Sequence, residues 1–371
     1  MKGAIRQLAL LSLIITAGAG AAPACRAQSA GVVSGSPGIK FDAYGEISYN
    51  RLSGTGVFAS EVANRVFDVD NGWSLQRIGT SVEYLPSQGF GGRFDLNFGK
   101  DSIGMAPMES YPGSAKVDLT QAFAQYAADG YTVMAGKLIA LVGAEYLQSP
   151  LNLNFSRSIL FGYATPFTHI GVRTAFFATD QVTLYAGLNN GWDHLPGRNP
   201  LRTVELGLAA NRGRFDLSAA GYIGMEPTGD AVDPGRVGRR SLLDVVATWR
   251  ATKSLTITVN CDWAVQRNIA KAGQAGHVAR WSGQAVYFNY TISDRWKIGW
   301  RAENFSDRDG FRTGIAQHWS ELTATVDLRL SKHMELRTEL RRDFSDGRVF
   351  MHERVAQSTQ DSAGVQLLVK L

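Results

Sequence analysis

Residues 255–263 read LTITVNCDW and alternate strictly between apolar and polar side chains. The apolar positions are Leu255, Ile257, Val259, Cys261 and Trp263, and the polar positions are Thr256, Thr258, Asn260 and Asp262. Because successive side chains of a β-strand point to opposite faces, this segment predicts a strand with one oily face and one wet face.

The same alternation recurs along the chain. It predicts sixteen strands, near residues 39–50, 75–85, 91–100, 117–126, 131–138, 168–177, 181–188, 203–211, 214–224, 242–251, 255–264, 280–290, 295–305, 317–330, 334–343 and 361–371. Most of these segments approach the ~9–11 residues that a tilted strand needs to cross a bilayer.

The connections between these strands alternate between short and long. Residues 127–130 and 331–333 are short connections, whereas residues 51–74, 139–167 and 265–279 are long ones. Short periplasmic turns and long extracellular loops are typical of outer-membrane barrels. We therefore predict an all-β protein, in which residues 39–371 form a transmembrane antiparallel β-barrel of about 16 strands.

The first residues predict export. Lys2 and Arg6 precede an uncharged apolar stretch, and small residues then stand at the −3 and −1 positions before Gln28. This is the pattern of a cleaved secretory signal. We expect residues 1–27 to be removed and residues 28–38 to form a short periplasmic segment.

The two cysteines limit the remaining chemistry. Lipidation at Cys25 is an alternative to simple cleavage, although the preceding residues 22–24 match a lipobox poorly. After cleavage only Cys261 remains, so an internal disulfide and a cysteine-based zinc site are both excluded. We predict neither a metal nor a cofactor.

The charge balance does not indicate a nucleic-acid partner. The chain has 38 basic and 33 acidic residues, and the predicted signal holds three of the basic residues. The mature chain is therefore close to neutral, which is unlike the strongly basic domains that bind nucleic acids.

Aromatic residues cluster near the ends of the predicted strands. On the apolar register we place Tyr49, Tyr84, Phe98, Tyr126, Phe176, Phe215, Trp249, Trp263, Trp281 and Trp296. Aromatic rings at both ends of a lipid-facing wall match the girdles at the two membrane–water boundaries. Outer-membrane lipids are thus the expected surroundings.

One third of the chain carries a family resemblance. Residues 152–162 read NLNFSRSILFG, residues 166–173 read PFTHIGVR, and residues 190–193 read NGWD. This succession resembles the OmpL-like β-barrel porin-2 family. The resemblance implies an outer-membrane barrel that is grouped with the porins largely by its architecture, and it brings no catalytic residues. One departure is the final residue, Leu371, where many such barrels end on an aromatic residue that assists assembly.

These features predict a porin in the outer membrane of a Gram-negative bacterium, which allows passive diffusion of small hydrophilic solutes or ions. The alternative is an adhesin or structural barrel whose loops bind external partners. An enzyme is not expected, because no nucleophile-elbow, P-loop or clustered histidine–carboxylate pattern occurs. By analogy with general diffusion porins, the expected assembly is a homotrimer, which the sequence itself leaves open.

The pore constriction is the candidate functional site, since a diffusion pore selects by size and by charge at its narrowest ring. The third long loop, residues 139–167, is the longest and contains Glu145 and Arg157. We hypothesise that it folds inward, against the alternative that it packs outside. The other lumenal candidates are Arg77, Arg93 and Arg173. His169, beside Arg173, is expected to hydrogen-bond within the wall.

Further charged side chains of both signs fall on the polar register of the strands. They are Arg301, Arg329, Arg337, Arg341, Asp42, Glu46, Glu83, Asp95, Glu205, Asp262, Glu303, Glu321, Asp327, Glu335 and Glu339. Charge on this face is tolerated because water fills the lumen, whereas arginine at the lipid-facing midplane costs ~2–4 kcal/mol. The near balance of signs predicts weak ion selectivity, with a slight preference for anions because the wall is rich in arginine.

Overall fold

The computed structural model describes residues 38–56, 65–68, 71–102, 117–193, 202–229, 232–271, 274–352 and 355–371. The predicted signal, residues 1–27, and nearly all of the predicted segment 28–38 lie outside these residues.

Sixteen antiparallel strands of the described residues form one closed barrel. They are β1 (Lys40–Leu52), β2 (Gly72–Tyr84), β3 (Gly89–Phe98), β4 (Val117–Ala128), β5 (Tyr131–Ile139), β6 (Thr168–Thr179), β7 (Val182–Asn189), β8 (Thr203–Arg212), β9 (Phe215–Pro227), β10 (Val237–Arg250), β11 (Leu255–Lys271), β12 (Gln274–Thr291), β13 (Trp296–Asp307), β14 (Gln317–Arg329), β15 (Met334–Ser345) and β16 (Thr359–Lys370). The predicted fold is confirmed.

Closure is made by the first and last strands. Tyr44 on β1 lies opposite Lys370 on β16, and the ladder continues to the pair Leu52 and Ser362. A free strand edge in lipid would leave unpaired N–H and C=O groups, each costing several kcal/mol. The pairing of β1 with β16 removes that edge.

The alternation read from the sequence sorts side chains between the two faces of the wall. On β14, Leu322 and Val326 are 56% and 38% exposed, whereas the residues that precede them, Glu321 and Thr325, are each at most 1% exposed. The apolar set therefore points outward to lipid and the polar set points into the lumen.

One end of the barrel carries short turns, and we refer to it as the turn end. Residues 129–130 and 213–214 are two of its turns. The opposite, loop end also carries a separate small sheet of three short strands, Thr55–Gly56, Phe350–His352 and Val355–Gln357. Among the described residues, no helix has the length and apolar character needed to cross a membrane.

The prediction of a long loop at residues 265–279 is wrong. Strand β11 runs to Lys271 and β12 begins at Gln274, so these residues extend a β-hairpin. The pairing shifts register between Arg267 and Ile269, and Asn268 adopts a positive φ of 61°. An extra residue of this kind breaks the alternation in the sequence while the two strands stay paired.

The aromatic girdle prediction is wrong for Trp281. The other nine predicted girdle residues are between 38% and 58% exposed, but Trp281 is 2% exposed. Trp281 shares the inward face of β12 with Ala285 and Tyr287, and its indole N–H donates to the carbonyl oxygen of Ala164 at 2.9 Å. A buried indole N–H needs such an acceptor, and the lumen provides it.

The two-faced wall predicts a depth-dependent cost of charge on β11. Val259→Arg, at the middle of the outward face, should lower the free energy of unfolding by ~2–4 kcal/mol, whereas Leu255→Arg beside the turn end should cost only ~0–1 kcal/mol. Reversible denaturant unfolding in lipid vesicles measures both values. Equal costs for the two variants would contradict the outward assignment.

Candidate functional site

The connection between β5 and β6, residues 140–167, lies inside the barrel, and we refer to it as loop 3. At its start, the backbone N–H of Leu141 donates to the Tyr222 hydroxyl on β9 at 2.9 Å. Further on, the N–H of Phe155 donates to a carboxylate oxygen of Glu339 on β15 at 2.9 Å. Loop 3 therefore contacts inward-facing side chains on widely separated strands.

Loop 3 also contains two short helical segments. Ser149–Leu151 is a single 3₁₀ turn, and Leu160–Ala164 is a short π-helix. The rest of the loop is neither helix nor strand, so no regular hydrogen-bond pattern satisfies its backbone. Its backbone N–H and C=O groups are buried and must find partners elsewhere.

Two wall carboxylates provide such partners. Glu303 on β13 accepts the two consecutive N–H groups of residues 159–160, at 2.7 and 3.1 Å. Glu339 accepts those of residues 155–156, at 2.9 and 3.2 Å. Leaving a buried N–H group without its acceptor costs about 1–3 kcal/mol, so these two side chains are strong anchors for loop 3.

Arginines of the same wall hold the loop from the other side. Arg301 donates to Glu321 on the wall at 2.9 Å and to Glu145 of loop 3 at 2.6 Å. Arg341 donates to the carbonyl oxygen of Arg157 at 2.6 Å. Both guanidinium groups are almost completely buried. A buried charge requires such partners, and each of these arginines has them.

Arg157 itself closes loop 3 on its own backbone. Its guanidinium donates to the carbonyl oxygens of Tyr146, Leu147 and Phe155, and to the Ser149 hydroxyl, at 2.8 to 3.2 Å. The side chain is buried among these acceptors. In this geometry Arg157 shapes the loop and does not project into open water.

Arg77 reaches the loop from β2. It donates to the carbonyl oxygen of Leu147, which Arg157 also contacts, and lies 3.5 Å from Asp101 and 3.6 Å from Glu46. Of the predicted site residues, Arg77 and Arg157 thus meet at one carbonyl oxygen. Glu145 lies in the same loop and pairs with Arg301 on the wall.

Arg173 lies where β5 leaves the wall to become loop 3. It donates to Glu205 on β8 at 2.8 Å and to the carbonyl oxygen of Ile139 at 2.9 Å. The Nε2 atom of His169 lies 3.0 Å from the same carboxylate, and the Tyr222 hydroxyl donates to it at 2.6 Å. This network fixes the base of the loop.

Arg93 is separate from the loop. It pairs with Glu83 at 2.7 Å and with Asp95 at 2.8 Å near the turn end of the barrel. Its side chain is 24% exposed, in contrast to the buried arginines around loop 3. Lys40 and Lys370 are also partly exposed there, so the turn end forms a hydrated, charged vestibule.

One side of loop 3 is apolar and packs on an apolar part of the inner wall. The cluster includes Leu141, Val142, Ile159, Leu160 and Ala164 from the loop, with Tyr222, Leu242, Trp281, Tyr287, Phe305 and Trp319 from the wall. Removing this apolar surface from water contributes ~25 cal/mol per Å². Burial and charge-assisted hydrogen bonds therefore act together to hold the loop inside.

Two aspartates outside the strands, Asp68 and Asp101, interact with each other close to Arg77. Arg65 donates to the carbonyl oxygen of Asp68, and Asp101 lies 3.5 Å from Arg77. Burial raises the pKa of both carboxyl groups, Asp101 raises that of Asp68 further, and Arg77 lowers that of Asp101. The pair retains a proton to higher pH than free aspartates do.

Several residues that position the loop did not stand out in the sequence. Arg301, Arg341, Glu303 and Glu339 fall on the predicted polar register, but nothing in their spacing distinguishes them from the other wall charges. The path of loop 3 gives them their role. Within the described residues, no group of three or more metal-ligating side chains comes together.

Comparisons with known proteins agree with this architecture. The profile of the family described as "Putative beta-barrel porin-2, OmpL-like" matches residues 40–371. No curated protein matches the sequence.

Solved structures share the fold at low sequence identity. OmpT of Vibrio cholerae in its trimer form is 14% identical, with a TM-score of 0.60 over 90% of this chain and 99% of that one. The channel DcaP of Acinetobacter baumannii is 12% identical, with a TM-score of 0.61 over 92% and 100%. An anion-selective porin from Comamonas acidovorans is 11% identical, with a TM-score of 0.61 over 90% and 99%.

The anchoring of loop 3 predicts the effect of removing one carboxylate. Glu303→Ala should speed hydrogen–deuterium exchange in residues 159–161 by about tenfold or more, because two amides lose their acceptor. Glu83→Ala, which removes a vestibule carboxylate, is the matched control and should leave this exchange unchanged. Mass spectrometry of the refolded variants measures both. Unchanged exchange in Glu303→Ala would show that this carboxylate does not anchor the loop.

Proposed function

Because this chain belongs to the OmpL-like β-barrel porin-2 family and is a porin of the Gram-negative outer membrane, we propose that loop 3 forms its constriction. Small hydrophilic solutes and ions then diffuse passively past it, between the extracellular loops and the periplasmic vestibule. Family and fold point to a channel and not to an enzyme.

The observation that carries this proposal is the contact of loop 3 with opposite sides of the inner wall. A segment held between Tyr222 on β9 and Glu339 on β15 crosses the lumen and reduces its free cross-section. Tyr146, Gln148 and Asn152 are among the half-buried residues of loop 3, and we propose that they border the remaining passage.

Pairing of charges around loop 3 supports weak selectivity at this level. Arg301 and Arg341 both contact Glu321, and Glu145 neutralises Arg301 from the loop. A charge that is paired at contact distance exerts little field on a passing ion. Among the predicted site residues, we propose that Glu145, Arg157 and Arg77 hold the constriction in shape, that Arg173 fixes its base, and that Arg93 lines the vestibule.

Single-channel recording in planar bilayers tests the constriction. The mature protein, expected to begin at Gln28, should give small discrete steps, and the double variant Glu303→Ala with Glu339→Ala should give larger ones because loop 3 loses both carboxylate anchors. Asp233→Ala, in the loop between β9 and β10, is the matched control and should leave the step size unchanged.

Two outcomes would contradict the proposal. Folded, inserted protein without any conductance would remove the passive channel and favour an adhesin or structural barrel. Steps of unchanged size in the double variant would show that loop 3 does not limit the flow. Heat-modifiable migration of each variant in gels controls for folding.

We also propose that the porin assembles as a homotrimer. The outer wall carries a groove of about 680 Å³ near the junction of the first and last strands. Outward-facing Ala302, Ala324 and Ala363 form its floor, and Trp300 and Leu340 border it. Small residues allow close approach of a second wall within lipid. The trimer form of OmpT has the same fold, which supports this assembly.

Filling the groove should disrupt the assembly. Ala324→Trp should convert trimers to monomers in mild detergent because the indole occupies the contact surface, whereas Ala247→Trp on the outward face of β10 should remain trimeric. Size-exclusion chromatography with light scattering measures the mass of each. A wild-type monomer, or a fully trimeric Ala324→Trp variant, would refute the proposed interface.

A further inference from the structure

Five side chains from four separate parts of the chain meet at the loop end of the lumen, and we refer to them as the mouth cluster. They are Trp192 after β7, Arg240 on β10, Trp281 on β12, and Phe311 and Arg312 after β13. The rings of Trp192 and Trp281 meet edge to face at 6.1 Å, and Trp281 stacks on Phe311 at 5.6 Å.

Two guanidinium groups lie against these rings. The Cζ atom of Arg240 is 4.9 Å from the centre of the Trp192 ring and 5.5 Å from that of Phe311. The Cζ atom of Arg312 is 5.5 Å from the centres of both the Trp192 and the Trp281 rings. The negative faces of aromatic rings attract cations and hold them in place without cancelling their charge.

Within the described residues, the side-chain hydrogen bonds of these two arginines go only to neutral acceptors. Arg240 donates to the Gln266 side chain at 2.7 Å and to the carbonyl oxygen of Pro227 at 3.1 Å. Arg312 donates through Nε to the carbonyl oxygen of Tyr163. Each guanidinium is positioned, but neither is neutralised by these contacts.

This arrangement differs from that of six arginines on the inner faces of the strands. Within 4.0 Å of a carboxylate lie Arg77, Arg93, Arg173, Arg301, Arg337 and Arg341. In the described part of the chain, no carboxylate lies within that distance of Arg240 or Arg312. The mouth cluster therefore keeps two positive charges uncompensated at contact distance.

The nearest carboxylates bind other groups. Asp307 accepts the backbone N–H groups of residues 311–313. Asp193 accepts those of residues 167–168, and Glu226 accepts the Thr203 hydroxyl at 2.6 Å. None of these three carboxylates lies within 4.0 Å of either guanidinium group, although each is near enough to interact with at least one of them over a longer distance. Burial lowers the pKa of Arg312 because it disfavours the charged form, and a bound anion would relieve that cost.

Donor atoms remain for such an anion. Nη1 of Arg240 and both terminal nitrogens of Arg312 meet no hydrogen-bond acceptor in the described residues, and none of the three is sealed from water. Guanidinium donors match the oxygens of carboxylates and phosphates, with which they form short charge-assisted hydrogen bonds. Since Arg240 faces the lumen, a ligand would arrive from the aqueous mouth of the channel.

We propose that the mouth cluster captures small soluble oxyanions, of the carboxylate or phosphate class, before they reach loop 3. This inference deepens the proposed porin function, and it gives the channel an anion preference at its extracellular entrance that the paired charges around loop 3 do not supply. The aromatic rings act as positioning residues for the two arginines.

Binding of inorganic phosphate tests the site without any need for conductance. Titration calorimetry on the folded protein in detergent should show saturable binding. Arg240→Gln and Arg312→Gln should each weaken it by about tenfold or more through loss of charged donors. Arg240→Lys, which keeps the charge but loses the fork, should weaken it less than Arg240→Gln does. Arg267→Gln, at an exposed arginine on the outward face of β11, should bind like the wild type.

The outcomes separate this proposal from the porin function. Absence of saturable phosphate binding, or equal binding in the wild type and in both glutamine variants, would overturn the mouth site whatever the conductance. If the channel conducts, reversal potentials in a salt gradient should shift towards cations in Arg240→Gln and Arg312→Gln. Unshifted reversal potentials in both variants would overturn the claim that the site sets anion preference.

Discussion

Loop 3 can lie inside the barrel only because its buried backbone groups have partners there. An irregular segment carries N–H and C=O groups that no ladder satisfies, and leaving one buried and unpaired costs about 1–3 kcal/mol. Glu303 and Glu339 each accept two consecutive N–H groups of the loop, and Arg301 and Arg341 donate to its carbonyl oxygens. The position of loop 3 depends on these four wall residues.

The same requirement explains the distribution of charge in the lumen. Around loop 3 the arginines and carboxylates are buried together, and Arg301 and Arg341 on the wall each contact a carboxylate as well as a loop carbonyl oxygen. Such pairing holds a structure in place but leaves little net field for passing ions. At the mouth, aromatic rings replace the carboxylates as neighbours of Arg240 and Arg312, so positive charge remains there. We therefore propose that the groups that hold loop 3 in place and the groups that set ion preference lie in different parts of the lumen.

The strands could be predicted from the sequence because period-two alternation is imposed by the wall itself, with lipid on one side and water on the other. The prediction failed where local features interrupt that pattern. Asn268 sits in a bulge that hides the extended hairpin after residue 264, and Trp281 was assigned to lipid although it faces the lumen. An indole is compatible with both environments, so its residue type alone did not decide the register.

The site was less predictable than the fold. Loop length pointed to residues 139–167, and Glu145, Arg157 and Arg77 do meet around loop 3. The sequence did not show that Arg157 turns back onto its own loop, or that Glu303 and Glu339 receive the loop amides. The contacts of the two glutamates join residues more than 140 positions apart, and no local spacing encodes them.

The central claim, that loop 3 lies across the lumen in the membrane, is tested most directly by disulfide cross-linking in intact outer membranes. The Asn154 side chain donates to the Thr325 hydroxyl on β14 at 2.7 Å, so Asn154→Cys with Thr325→Cys in a Cys261→Ser background should cross-link rapidly on mild oxidation. Asn154→Cys with Ser331→Cys, in the turn that follows the same strand, should not cross-link. Failure of the first pair to cross-link in folded protein, or equal cross-linking of both pairs, would contradict this account of the pore.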